Sequence, residues 1–226
     1  MKYSNVYKGK FIARPNRFMA QVEIDGVVQA SHVKNTGRCK ELLKPGSLVY
    51  LEENINQNRK TKYDLVAVEK DKLLVNIDSQ APNKVVKEWL EAGGIYANPT
   101  LVCPEKKHGN SRVDFYIEAE DRQAFIEVKG VTLENDGVAA FPDAPTERGL
   151  KHIYHLMDVL QEGYEAYLVF IIQFKPVKYL IPNDVTQPEF GQALKEAVAA
   201  GVHVLAYDCI ATPNSMQMDQ LVQVQL

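Results

Sequence analysis

The chain has 226 residues, 46% hydrophobic and 24% charged, with a formal net charge of −3, the composition of a soluble globular protein with room for one large domain or two small ones. Its longest purely apolar run, Leu168 to Ile172, is far short of the ~20 residues that cross a bilayer, and no apolar leader follows Met1, so neither a membrane span nor a secretory signal is expected and a cytoplasmic location is. Cys39, Cys103 and Cys209 are scattered and odd in number, which argues against a disulfide framework or a zinc site and for buried thiols. The charge is unevenly spread. Residues 1 to 80 carry 14 Lys and Arg against 9 Asp and Glu, net +5, and the remainder 12 against 20, net −8. A basic first part and an acidic second part fit a polyanion-gripping module joined to a cation-binding one, although such imbalances also arise by chance.

Residues 1 to 80 read as short strands: Val6 to Ala13, Arg17 to Ile24, Val27 to His32, Ser47 to Glu52 and Tyr63 to Val68, with Leu73 to Ile77 as a further short one. Asp25-Gly26 is a hairpin turn, and Arg38 to Leu43 has the length of one or two helical turns before Pro45-Gly46. Five strands with a short helix after the third describe an OB-like Greek-key barrel, a common binder of oligonucleotides. Cations interleave with rings here. Phe11 and Phe18 suit the core, and Arg14, Arg17 and Arg38, beside turn-rich loops, are candidate phosphate contacts.

Ser79 to Asn83 reads as a linker to a second domain, residues 81 to 226. Lys84 to Ala92 predicts a helix burying Val85, Val86, Trp89 and Leu90 and ended by Gly93-Gly94; its Glu88 and Glu91 are solvated or offer a further carboxylate. Ile95 to Val102 is a strand, Ser111 to Glu118 and Ala124 to Lys129 form a hairpin, and a polar loop follows Gly130. The stretch from Phe141 opens a helix reaching Gln161, capped by Asp143 or Thr146, with Leu150, Ile153, Met157 and Leu160 inward. Arg148, Lys151, His152 and His155 line a neighbouring face near its N-terminus, a place suited to phosphate. Tyr167 to Ile172 has the continuous apolarity of a central strand. Pro188 to Ala200 is a helix with Phe190, Leu194, Ala197 and Val198 inward, Val202 to Tyr207 a strand, and the tail after Thr212-Pro213 is weakly patterned. The whole is an α/β protein with an N-terminal all-β part, whose second domain is a mixed sheet with crossover connections.

Chemistry concentrates in the hairpin. A two-residue turn at Glu120-Asp121 sets Asp114 directly across from Glu127, with Lys129 beside them. Opposed residues of an antiparallel pair have β-carbons about 5 Å apart, and two carboxylates there repel unless a cation lies between them. Two carboxylates holding Mg²⁺, with a lysine that positions water, is the arrangement of metal-dependent nucleases. The same residues also fit a solvated strand face with a salt bridge, and a longer loop or a bulge would separate the pair.

Several stretches together resemble the sugar fermentation stimulation protein family of prokaryotes: Asn35-Thr36-Gly37-Arg38 with Leu42, Leu43, Pro45 and Gly46; Ser111 to Phe115; Ile126 to Gly130; and Phe141 to Ala144 with Thr146 to Gly149 and His152. The resemblance covers nearly the whole chain. It implies an N-terminal OB-like domain, a restriction-endonuclease-like domain of the PD-(D/E)xK type, non-specific DNA binding and a regulatory role in sugar catabolism. Matched position by position, the nuclease site falls on Asp114, Glu127 and Lys129. Val113 stands where that pattern usually has proline, which is not a ligand. The expectation is a DNA-binding protein with an Mg²⁺ or Mn²⁺ site on Asp114, Glu127 and the Val128 carbonyl, and with Arg148 and His152 on the phosphate. The alternative is a regulatory DNA-binding protein on a nuclease fold that no longer cuts.

Overall fold

The structure, a computed structural model, describes residues 1–35, 37–55 and 59–226; Thr36, within the Asn35 to Arg38 stretch, lies outside them. Among the described residues, the alternating segments of the first part close into a barrel. β1 (Val6–Asn16) pairs antiparallel with β2 (Met19–Ile24), and β2 with β3 (Val27–Val33) across the Asp25-Gly26 turn. β4 (Leu48–Glu53) joins β1 to β5 (Tyr63–Lys70), and a parallel β3–β5 contact closes the ring, as in an OB-like barrel. β6 (Leu73–Asn76) pairs antiparallel with β5 at the edge of this sheet. Phe11, Val22, Leu51 and Leu65 fill the barrel, whereas Phe18 is 43% exposed beneath the Arg17 guanidinium, not in the core as expected.

The helix expected over Arg38 to Leu43 does not form. One hydrogen-bonded turn stands there, Leu43 N–H to Cys39 C=O, because neighbouring carbonyls are taken by an arginine and Cys39 adopts a positive φ of 44°.

The expected linker is also absent. α1 (Ala81–Glu91) starts inside it, with Pro82 in the first turn, where a missing N–H costs nothing. Val85, Val86 and Leu90 are buried as expected, and Trp89 packs partly buried against Tyr207. Ile95 to Thr100 is irregular, with Tyr96 buried under the Arg122 guanidinium, so the strand begins later, as β7 (Leu101–His108). β8 (Ser111–Ala119) and β9 (Arg122–Val131) follow. The expected polar loop is a hairpin of β10 (Leu133–Asn135) and β11 (Val138–Phe141) about Asp136-Gly137. α2 (Glu147–Gln161) is capped by Thr146, whose hydroxyl accepts the Gly149 N–H at 2.9 Å, and not by Asp143. Its fully buried side is Gly149, Ile153, Leu156 and Val159; Leu150, Met157 and Leu160 flank it.

β12 (Glu165–Ile172) runs through the middle of the second sheet, parallel to β9, and β13 (Tyr179–Pro182) joins β11 in the small sheet. α3 (Pro188–Ala200) buries Ala193 with Phe190, Leu194 and Ala197 but leaves Val198 exposed. β14 (His203–Thr212) lies parallel to β12, and the weakly patterned tail supplies an edge strand, β15 (Ser215–Leu221). The sheet order is β15-β14-β12-β9-β8-β7, with α1 over one face and α2 and α3 over the other. Buried polar groups bind it to the barrel. Asp78, fully buried, meets Lys34 Nζ at 2.8 Å and accepts from the Tyr3 hydroxyl at 3.2 Å, while Gln173 donates to Asn76 and to the Asp78 carbonyl. Such a paired, hydrogen-bonded cluster fixes one arrangement of the two parts.

Candidate metal and phosphate site

The β8–β9 hairpin has the expected two-residue turn at Glu120-Asp121 and register, from Ala119 opposite Arg122 to Phe115 opposite Ile126. The ladder stops there and the strands part. Val113 turns into the core that holds Tyr116 and Phe125, while Phe115 and Ile117 pack under α1, so strict alternation along β8 breaks at Asp114. Asp114 bridges the opening. Its Oδ2 accepts the Val128 N–H at 2.8 Å, standing in for the carbonyl a continuing strand would supply, and its Oδ1 accepts from Asn83 Nδ2 of α1 at 2.9 Å. A two-residue hairpin closes on a hydrogen-bonded pair, so every second pair, Val113 with Val128 included, would be of that type. The Val128 carbonyl therefore points into the same opening as its N–H.

Glu127, 3% exposed, reaches the α2 side. Its Oε1 accepts from Lys129 Nζ at 2.6 Å and meets His152 Nδ1. His152 thus bridges Glu127 to Arg148, its Nδ1 on the Glu127 carboxylate and its Nε2 at 3.2 Å from Arg148 Nε. The two carboxylates titrate apart. Burial, and then the charge of Glu127, raises the Asp114 carboxyl above its usual range. Burial also pushes Glu127 up, but the His152 hydrogen bond and the Lys129 ammonium outweigh it and hold this carboxyl low. Gly130 follows because a Cβ there would lie 2.6 Å from Gln173 Oε1 and 2.8 Å from Pro82 Cγ.

Asp114, Glu127, Val128, Lys129, His152 and Arg148 are thus gathered around one opening. His155 is not with them. It faces His108, ring centroids 5.2 Å apart, and its pKa is lowered by burial and by that neighbour. Glu88 binds the Met1 amino group at 2.7 Å and Glu91 pairs with Lys87, so neither is a further ligand. Among the described residues no three His, Cys, Asp or Glu side chains converge as a metal cluster; the opening offers two carboxylates and a carbonyl. Such a set of hard oxygens fits Mg²⁺ or Mn²⁺, which take one or two carboxylates and complete their shell with water and phosphate.

The barrel arginines divide. Arg14 spends its guanidinium on the carbonyls of Gly37, Arg38, Arg17 and Asn35, at 2.6 to 2.8 Å, and so organises a loop where a phosphate contact was expected. Arg17 and Arg38 line an open cavity with Lys40. Sequence reasoning missed Asn83, placed in the linker, and Lys84 and Lys87, which share a cavity with Asp114. Pro82 was the available signal that a helix begins there.

The sugar fermentation stimulation protein RE domain matches residues 80–215 and the family's N-terminal OB domain residues 12–77. Sugar fermentation stimulation protein homologs of Ruminiclostridium cellulolyticum and Clostridium beijerinckii are each 53% identical over 226 residues, covering all of both chains. The structure of Pyrococcus furiosus SfsA in complex with Ca²⁺ superposes with a TM-score of 0.91 at 28% identity, covering 100% of this chain and 98% of that one. No helix is long and apolar enough to cross a membrane among the described residues. With barrel and mixed sheet in the order these matches require, the chain belongs to the sugar fermentation stimulation protein family.

Proposed function

We propose that this protein binds DNA without sequence preference and hydrolyses phosphodiesters at the opening of the β8–β9 hairpin with a divalent cation. The observation that carries the reading is the parting of the two strands at Asp114, which directs two carboxylates and the Val128 carbonyl to one place with a lysine beside them. The Pyrococcus furiosus relative, described in complex with Ca²⁺, supports a hard divalent cation as ligand. Asp114, Glu127 and the Val128 carbonyl would hold Mg²⁺ or Mn²⁺, which would supply Lewis-acid stabilisation of the charge that builds on the phosphate.

In hydrolysis a water oxygen bonds to phosphorus and one ester P–O bond breaks. Lys129, anchored on Glu127, presents its remaining ammonium protons where that water must stand. Arg148 is exposed and uses its Nε on His152, which leaves the ends of its guanidinium to meet a phosphate. His152 positions Glu127 and Arg148 together. The family name adds stimulation of sugar fermentation, and DNA binding is the means by which such regulation would act.

A second reading, a regulatory DNA-binding protein that does not cut, draws on the Lys129–Glu127 contact, since the ammonium already neutralises that carboxylate. Incubating end-labelled single-stranded and duplex DNA with Mg²⁺ or Mn²⁺ separates the two. Cleavage that Glu127→Gln abolishes is expected; binding without cleavage under either cation leaves the second reading.

A further inference from the structure

Three neighbouring cavities share lining residues, the first on the barrel, the second between barrel and mixed sheet, and the third beside α1 and β8. One, of about 410 Å³, is lined by Arg17, Arg38 and Lys40. The next, of about 310 Å³, lies between the loop after β3 and the loop before α2, with Asn35, Thr132, Phe141, Asp143, Thr146 and Gln173 in its walls. The third, of about 460 Å³, holds Asp114 with Asn83, Lys84 and Lys87. Gly37 lines the first and second, and Ser79 the second and third, so the three are neighbours, and the third is lined by Asp114 of the candidate site. Cations stand at both ends, in the third beside the carboxylates of Glu105 and Asp114. The middle cavity has no lysine or arginine among its lining residues and one carboxylate, Asp143.

A phosphate is suited to either end and not to the middle. We propose that the middle cavity is a pocket for one unstacked base of a single-stranded polynucleotide, whose flanking phosphates lie in the cationic ends. The proposal rests on the nucleic-acid reading above and replaces its sequence indifference with a preference at one base only. The volume is at the small end of the ~300–1,000 Å³ usual for ligand pockets, enough for a single base. Phe141, braced edge-on by Phe170 and Phe190, gives the pocket a rigid apolar wall. Asp143 has no hydrogen bond or ion pair among the described residues and is free to accept one. Its Oδ2 would lie 2.8 Å from a Cβ at residue 37, so glycine there keeps the space open. A carboxylate accepts from ring N–H and exocyclic amino groups, and guanine offers two such donors side by side on its Watson–Crick edge. Thymine and uracil offer one. A base paired and stacked in a duplex cannot present that edge, which makes the single strand the ligand. One pocket reads one base and leaves the rest of the strand unread.

The test is fluorescence anisotropy of the full chain in EDTA with labelled dT 11-mers carrying dG or dT at the centre, the corresponding RNA pair, and a blunt duplex. The wild type should prefer the guanine strand about tenfold in both series, the discrimination expected of one good base contact. Asp143→Asn, isosteric at an exposed residue, should cut the preference to about twofold or less, since the amide no longer matches two donors. Ala144→Phe, which fills the pocket, should weaken both single strands about tenfold while duplex binding stays put. Equal binding of guanine and thymine strands by the wild type, or an undiminished preference in Asp143→Asn, overturns the pocket while leaving the nucleic-acid reading intact. If the wild type binds no polynucleotide at all, the nucleic-acid reading itself falls.

Discussion

The Asp114 carboxylate accepts the backbone N–H of Val128 at 2.8 Å, so a side chain joins β8 to β9 where their ladder has ended. This contact makes the site. It keeps the strands parted without orphaning a buried donor, and it sets a second carboxylate near Glu127. Glu127 meets the Lys129 ammonium and His152, whereas Asp114 has only the Asn83 amide and the Val128 N–H.

Removing Lys129 should therefore expose the cost of the Glu127 charge. Lys129→Ala leaves a buried carboxylate without its ammonium, a loss of about 3 kcal/mol at pH 7. The folded-state pKa of Glu127 lies below its unfolded value, so its contribution is present above that value, about 4.3, and is lost as pH falls through the folded one. Urea unfolding of both proteins at pH 7 and pH 4 checks this: the gap should narrow in acid. A gap that is small at pH 7, or that widens in acid, would mean the pair contributes nothing.

His152 is expected to act through Glu127. His152→Ala removes the strongest influence holding that carboxyl low, so the acid limb of the cleavage-against-pH profile should move to higher pH. Arg148→Ala, which leaves the imidazole in place, should raise KM about tenfold and leave the limb where it is. A pH profile identical in wild type and His152→Ala counts against this positioning role.

Among the barrel arginines, Arg17→Ala and Arg38→Ala should each reduce the slope of log binding constant against log salt by about one. Arg14→Ala should instead destabilise the fold by roughly 2 kcal/mol or more, because four carbonyls lose a charged donor. Salt titrations and thermal melts of the three variants separate these roles. A flattened slope with unchanged melting in Arg14→Ala would restore it as a phosphate contact.

These differences show what a one-dimensional pattern carries. Period-two alternation and the Asp25-Gly26 and Glu120-Asp121 turns placed the barrel strands and the site hairpin, because strands with one covered face have their register set by which side chains must be buried. Asp136-Gly137 has the same turn chemistry as Asp25-Gly26 but joins strands of only three and four residues, too short for alternation to show, so its hairpin read as loop. The first turn of α1 was hidden because Ser79 to Asn83 has the composition of a linker, and Asn83, the partner of Asp114, went with it. The roles of Arg14 and Val113 depend on partners distant in sequence, which no local period encodes. Asp114, Glu127 and Lys129 were legible as a group; the splay that aims them was not.

The most direct test is thermal melting of wild type and Asp114→Asn in EDTA and in Mg²⁺ or Mn²⁺ at pH 7. Because the folded-state pKa of Asp114 is raised, its ionised form opposes folding at pH 7, and that penalty fades as pH falls through the folded value. Asp114→Asn keeps an acceptor for the Val128 N–H without the charge and should melt at or up to about 4 °C above the metal-free wild type. Added cation should raise the wild-type melting temperature by a few degrees, as mass action requires of a ligand bound only by the folded state, and leave the variant nearly unmoved. Equal stabilisation of both proteins by the cation would show that Asp114 and Glu127 are not its ligands, and the metal-dependent reading would not survive it.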